Sequence, residues 1–173
     1  MSLQSSLLVP SLPSTALILS HRRPTSGRST PNLEANLTSL LAAFRATGLP
    51  ACVAPVHGEP VLRKYDQSSG FRARVDGAGQ SLLYVLEMEG MKSVILVGLS
   101  LAHCVSSTVH SAGDRGLAVV VVGDAAAAHA AGVVDFVGTA GNVGSGTAWS
   151  AETVHGVAMA HLEGELADVV TTA

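Results

Sequence analysis

Apolar runs of strand length alternate along the chain with segments whose apolar residues recur at helical spacing, the pattern of a parallel sheet covered by helices on both faces. Thr15 to Ser20 predicts the first strand. After a polar loop, Thr30 is placed to cap a helix with Pro31 at its first position, and Leu33, Leu37, Leu40, Leu41 and Phe44 then share one face. Gly48 ends it. Ala51 to Val56 predicts a second strand, followed by a surface loop rich in glycine, serine and charge as far as Gly79. Gln80 to Glu89 predicts a helix with Leu82, Leu83 and Leu86 inward, and Ser93 to Leu99 an apolar strand of the doubly buried kind.

The turn Ser100 to His103 then leads to a helix from about Cys104 to Asp114, closed by Gly116, and to the strand Leu117 to Gly123. Ala125 to Ala131 reads as helical or irregular. Val133 to Gly146, with Gly138, Gly141, Gly144 and Gly146, reads as a flexible excursion without the spacing of a dinucleotide fingerprint. Ser150 caps a last helix with Val154, Val157, Ala158 and Leu162 on one side, and Ala167 to Thr172 is the final strand.

Composition changes this picture in one respect. Hydrophobic residues make up 47% of the 173 positions and charged residues 13%, against about 25% charged in an average soluble domain. So little charge implies apolar surface buried against another subunit, hence a homo-oligomer. The net charge of −3 leaves no electrostatic footprint for nucleic acid or anionic lipid. Arg22, Arg23 and Arg28 are explained by a solvated loop. No run approaches the ~20 apolar residues of a membrane span, and the stretch 1–13, an N-terminal extension before a domain over 14–173, lacks the charged start of a secretory signal. With only Cys52 and Cys104, in unlike contexts, no disulfide framework is implied, and a cytoplasmic location fits.

Cys104 is the leading chemical candidate. It opens a helix after a buried strand, and ligands of open parallel sheets bind at the carboxyl ends of strands. A thiol there sees the positive end of the helix dipole, which favours thiolate, and nearby backbone N–H groups are placed to hold an oxyanion. The competing reading is a small buried hydrophobe. His103 lines the same turn, whereas His110 and His129 read as surface or packing residues. His155 and His161 do not share a face, so no metal site is expected. Trp149 and Phe136 flank the glycine-rich excursion and fit either a pocket cap or a subunit contact.

The segment from Ser93 through Gly98-Leu99-Ser100-Leu101-Ala102-His103-Cys104-Val105 to Gly116, followed by the strand ending in Asp124-Ala125, resembles the nucleophile signature of the isochorismatase-like cysteine hydrolases. The tail from Ala151-Glu152-Thr153-Val154-His155 through Thr172 is similar to that family's last helix and strand, and Ser69-Gly70-Phe71 to its element before the helix preceding the nucleophile strand. The likeness runs from Thr15 to near the end of the chain. It implies a three-layer α/β/α sandwich, Rossmann-like, with a mostly parallel sheet of about six strands. It also implies a hydrolase acting on a small amide, C–N or ether-type substrate, with no cofactor.

The family chemistry implied is a cysteine nucleophile, an aspartate base at the end of the first strand and a supporting lysine. Cys104 takes the first role, with Ser100, His103 and Phe71 expected around the oxyanion and pocket. Lys64 is the best match for the lysine, with a solvated loop lysine as the alternative; Lys92 matches less well, at the far end of the nucleophile strand. The aspartate is replaced by His21. A histidine at that position makes either a Cys-His pair or the remnant of a lost activity, in a protein that binds a small ligand or serves in an assembly.

Overall fold

The computed structural model describes residues 14–20, 28–48, 51–52, 62–63, 71, 73–75, 79–132 and 148–172. In chain order these form β1 (Thr15–Ser20), α1 (Leu33–Thr47), β2 (Ala51–Cys52), β3 (Leu62–Arg63), β4 (Arg74–Val75), α2 (Leu82–Met88) and β5 (Ser93–Leu99). A π-helical turn, Leu101–Val105, runs into α3 (Ser106–Gly113), followed by β6 (Ala118–Ala127), β7 (Ala131–Gly132), β8 (Ala148–Trp149), α4 (Ala151–Leu162) and β9 (Asp168–Val170). The main sheet has the order β2-β1-β5-β6-β9, and all its pairings are parallel. Five strands, not about six, make up this sheet among the described residues. Two antiparallel pairs, β3 with β4 and β7 with β8, lie outside it.

Alternation along the strands divides the core between the two faces of the sheet. Ala16 and Ile18, Val94 and Leu96, and Val119 and Val121 pack with Leu82 and Leu86 of α2, Val109 and Ala112 of α3 and Leu162 of α4. The intervening Leu17, Val97, Leu99 and Val122 pack with Leu33, Leu37 and Phe44 of α1. This is the expected three-layer arrangement. The start of β5 is fastened to β1 by a buried 2.6 Å hydrogen bond between Thr15 Oγ1 and Ser93 Oγ.

β6 departs from the sequence expectation. Its pairing with β5 shifts between Leu96 and Gly98, where β6 carries three extra residues: Leu96 faces Val121, but Gly98 faces Ala126. An odd insertion reverses the side-chain parity, so Ala126 and Ala128 join the core face of Val119 and Val121, while Ala125 and Ala127 join the α1 face. Ala125 to Ala127 are thus strand, not helical or irregular. Their alanines suit helix by propensity, but all three are fully buried between the helical layers, and tertiary context decides.

Smaller corrections have similar causes. Thr30 does not cap α1; its hydroxyl donates to the Ala126 carbonyl at 2.7 Å, and Asn32 is the N-cap without a side-chain bond. Gly48 does end that helix, with φ of 70°. Ser81, not Gln80, opens α2, its hydroxyl accepting the Tyr84 N–H. Ser150 caps α4 as expected by accepting the Thr153 N–H, but Val157 faces outward at 40% exposure. The loop expected to Gly79 contains the β3–β4 pair. The extension 1–13 and the excursion 133–146 lie outside the described residues.

Candidate active site

β5 ends at the carboxyl edge of the sheet, where Gly98 adopts φ of 107°, a backbone conformation side chains rarely take. The peptide joining Leu99 to Ser100 is cis. The chain then winds into helix at once, so the helix begins at Leu101 and not at about Cys104 as the sequence suggested. Its first turn is wide. The Ser100 carbonyl accepts from both the His103 N–H at 3.1 Å and the Val105 N–H at 3.2 Å, the latter an i to i+5 bond.

Burial fixes how this turn is presented. Leu101 and Val105 are 0% and 1% exposed and belong to the core between the sheet and α2, α3 and α4. Ala102 and His103 face solvent, and Cys104 lies between, half-buried. Its sulfur is a thiol, not half of a disulfide. Its carbonyl accepts the Thr108 hydroxyl at 2.6 Å, and α4 packs against the turn. Two apolar pins therefore hold a half-buried cysteine at the carboxyl ends of parallel strands.

Three of the residues singled out from sequence, Ser100, His103 and Cys104, come together on this turn. The His103 N–H is already spent on the Ser100 carbonyl. Phe71 is 5% exposed in the core cluster that also holds Leu101 and Val105, with the Arg115 guanidinium 5.1 Å from its ring centroid. That is a cation–π contact at the foot of α3. His21 and Lys64 lie outside the described residues. Among the described residues, no three His, Cys, Asp or Glu side chains form a group able to hold a metal ion, and no helix is long and apolar enough to cross a membrane.

Asp124, which the sequence marks at the end of its strand, works as a fastening. Its carboxylate accepts the Thr172 N–H at 2.9 Å and the Thr172 hydroxyl, and its carbonyl accepts from Asn36 Nδ2 at 2.6 Å. It ties the exit of β9 and the start of α1 to β6. Sequence reasoning did not reach the pairing of Ser29 with His155, whose side chains meet at 2.9 Å across 126 residues. No local pattern announces a pair so far apart.

Among the described residues, a parallel sheet with helices on both faces presents Cys104 on the helical turn after its central strand, which defines a three-layer α/β protein. Comparison with known proteins makes this specific: the model of the isochorismatase domain family matches residues 49–136, and the chain belongs to that family. It is similar to the isochorismatase family protein YrdC of Bacillus subtilis, at 29% identity over 120 residues, 69% of this chain and 55% of the relative. The chain thus spans about half the length of that curated relative. Among solved structures, the cysteine hydrolase of Pseudomonas syringae pv. phaseolicola superposes with a TM-score of 0.75 at 20% identity, covering 94% of this chain and 91% of the other. An isochorismatase of Pseudomonas putida gives 0.72 at 22% identity, covering 94% and 90%. At these identities the two structures establish the shared fold.

Proposed function

We propose that the protein is a cysteine hydrolase acting on a small amide, or a related C–N or ether-type substrate, with Cys104 as nucleophile. The observation that carries the reading is the half-buried cysteine on a turn pinned by Leu101 and Val105 at the carboxyl edge of the sheet. For an amide, His21 takes the thiol proton as the sulfur attacks the carbonyl carbon. The C–N bond then breaks, the amine leaves with that proton, and water cleaves the thioester to free the acid and restore the thiol. The developing oxyanion is held by N–H groups of the turn other than those of His103 and Val105, which the Ser100 carbonyl takes. Lys64 supports the pair, the role that the family resemblance gives its lysine. Similarity to the cysteine hydrolase of Pseudomonas syringae supports this assignment.

A second reading has a specific observation in its favour, the histidine at position 21 where the family keeps aspartate. On that reading the protein is an impaired family member that binds a small ligand or serves in a homo-oligomer. Tyr84 and Met88, exposed one helical turn apart on α2, and the low charge content support assembly. A screen of small amides separates the two. The hydrolase reading expects turnover of at least one amide and a loss of about 10²- to 10⁴-fold in His21→Ala. An inactive parent that gains turnover in His21→Asp supports the impaired reading.

A further inference from the structure

Thr15, Thr30, Ser93 and Thr108 are the buried polar residues among those described, and each hydroxyl has a partner. The first three fasten strands: Thr15 and Ser93 join β1 to β5, and Thr30 ties its segment to β6. Thr108 instead reaches back four residues along its own helix and donates to the Cys104 carbonyl at 2.6 Å. A carbonyl can only accept, so the direction is fixed and the single hydroxyl hydrogen is committed there. The same contact occurs on α1, from Thr38 to the Glu34 carbonyl at 2.7 Å and from Ser39 to the Ala35 carbonyl at 3.0 Å, but those positions are exposed and water can replace the hydroxyl. At 2% exposure between Val105 and Val109, Thr108 has no such substitute.

The bond falls where the helix changes its spacing. Val105 N–H donates to the Ser100 carbonyl and Ser106 N–H to the Leu101 carbonyl, both i to i+5, whereas α3 continues with i to i+4 bonds such as Asp114 N–H to the His110 carbonyl. The Cys104 carbonyl and the Val105 N–H belong to one planar peptide and point opposite ways. That peptide is thus held at both poles, by Thr108 at 2.6 Å and by Ser100 at 3.2 Å. The peptide before Cys104 is held as well, its His103 carbonyl accepting the Ser106 N–H.

We propose that Thr108 is a positioning residue for Cys104: its buried hydroxyl holds the Cys104 carbonyl and, through the peptide that this carbonyl shares with the Val105 N–H, fixes the direction in which the cysteine side chain leaves the turn. The threonine is suited to this because its branched side chain is stiff about χ1, with the methyl completing the packing while the hydroxyl turns back to the carbonyl. The consequence for catalysis rests on the reading of Cys104 as nucleophile; the clamp on the peptide does not.

The test compares Thr108→Val, which removes the hydroxyl, with Thr108→Ser, which keeps it, in a Cys52→Ala background of the full chain. Two quantities are measured, hydrogen exchange of the Val105 amide by NMR and the rate of Cys104 alkylation by iodoacetamide at neutral pH. In Thr108→Val the Val105 amide is expected to exchange about five- to tenfold faster, the β5 amides being unchanged, and alkylation to slow by at least about threefold. Thr108→Ser is expected to stay within about twofold of the parent in both. Unchanged Val105 exchange in Thr108→Val, or a Thr108→Ser that behaves like Thr108→Val, overturns the proposal. So does faster exchange with alkylation unmoved, where the parent thiol outpaces a peptide thiol. A parent thiol no faster than the peptide overturns the nucleophile reading instead, and the exchange result still decides the clamp. Should Thr108→Val not fold, Thr108→Ala takes its place in the same comparison, since alanine also lacks the hydroxyl and favours helix.

Discussion

Cys104→Ala is expected to reduce hydrolysis of any amide the protein turns over by at least about 10³-fold, because no other group forms the thioester when the sulfur is gone. The fold should barely notice. The side chain is half-buried within a helical turn, alanine is the strongest helix former, and stability should stay within about 1 kcal/mol of the parent. Activity and melting temperature measured on the same preparation therefore separate lost chemistry from lost structure. Retained turnover would assign the reaction to another residue.

The second large effect falls on the scaffold of the same turn. Leu101 is fully buried beside Val105 in the core shared by α2, α3 and α4. Leu101→Ala deletes one of the two pins and leaves a cavity, at a cost of about 2–5 kcal/mol. For a chain of this size that lowers the melting temperature by on the order of 10 °C. Hydrolysis should fall as well, since Cys104 is presented by the turn that Leu101 holds down. Leu101→Met conserves volume and should cost less than about 1.5 kcal/mol. A melting temperature unchanged in Leu101→Ala would mean that the pin carries no load.

Legibility in the sequence followed the balance between local pattern and long-range contact. Ser93 to Leu99 could be read as a buried strand because both its faces meet helices, which demands an unbroken apolar run. Its position before Cys104 then marked the carboxyl edge. The early start of the helix was hidden, because the pairing of Leu101 with Val105 depends on a core not yet assembled. Ala125 to Ala127 misled for a related reason: alanine favours helix, and only the parity reversal in β6 reveals that these positions lie in the sheet. Thr30 looked like a cap because its local context is that of a cap; the Ala126 carbonyl that claims its hydroxyl is 96 residues away. The Ser29–His155 contact is the extreme case, visible only once β6 and α4 are in place.

The central claim is that Cys104 is an activated nucleophile assisted by His21, and its alkylation by iodoacetamide tests this most directly. The rate is measured at neutral pH in a Cys52→Ala background, with and without His21→Ala, against a short unstructured peptide thiol. Cys104 is expected to react at least about tenfold faster than the peptide thiol and to lose most of that advantage in His21→Ala. A Cys104 that reacts no faster than the peptide, and is indifferent to His21→Ala, would contradict the account.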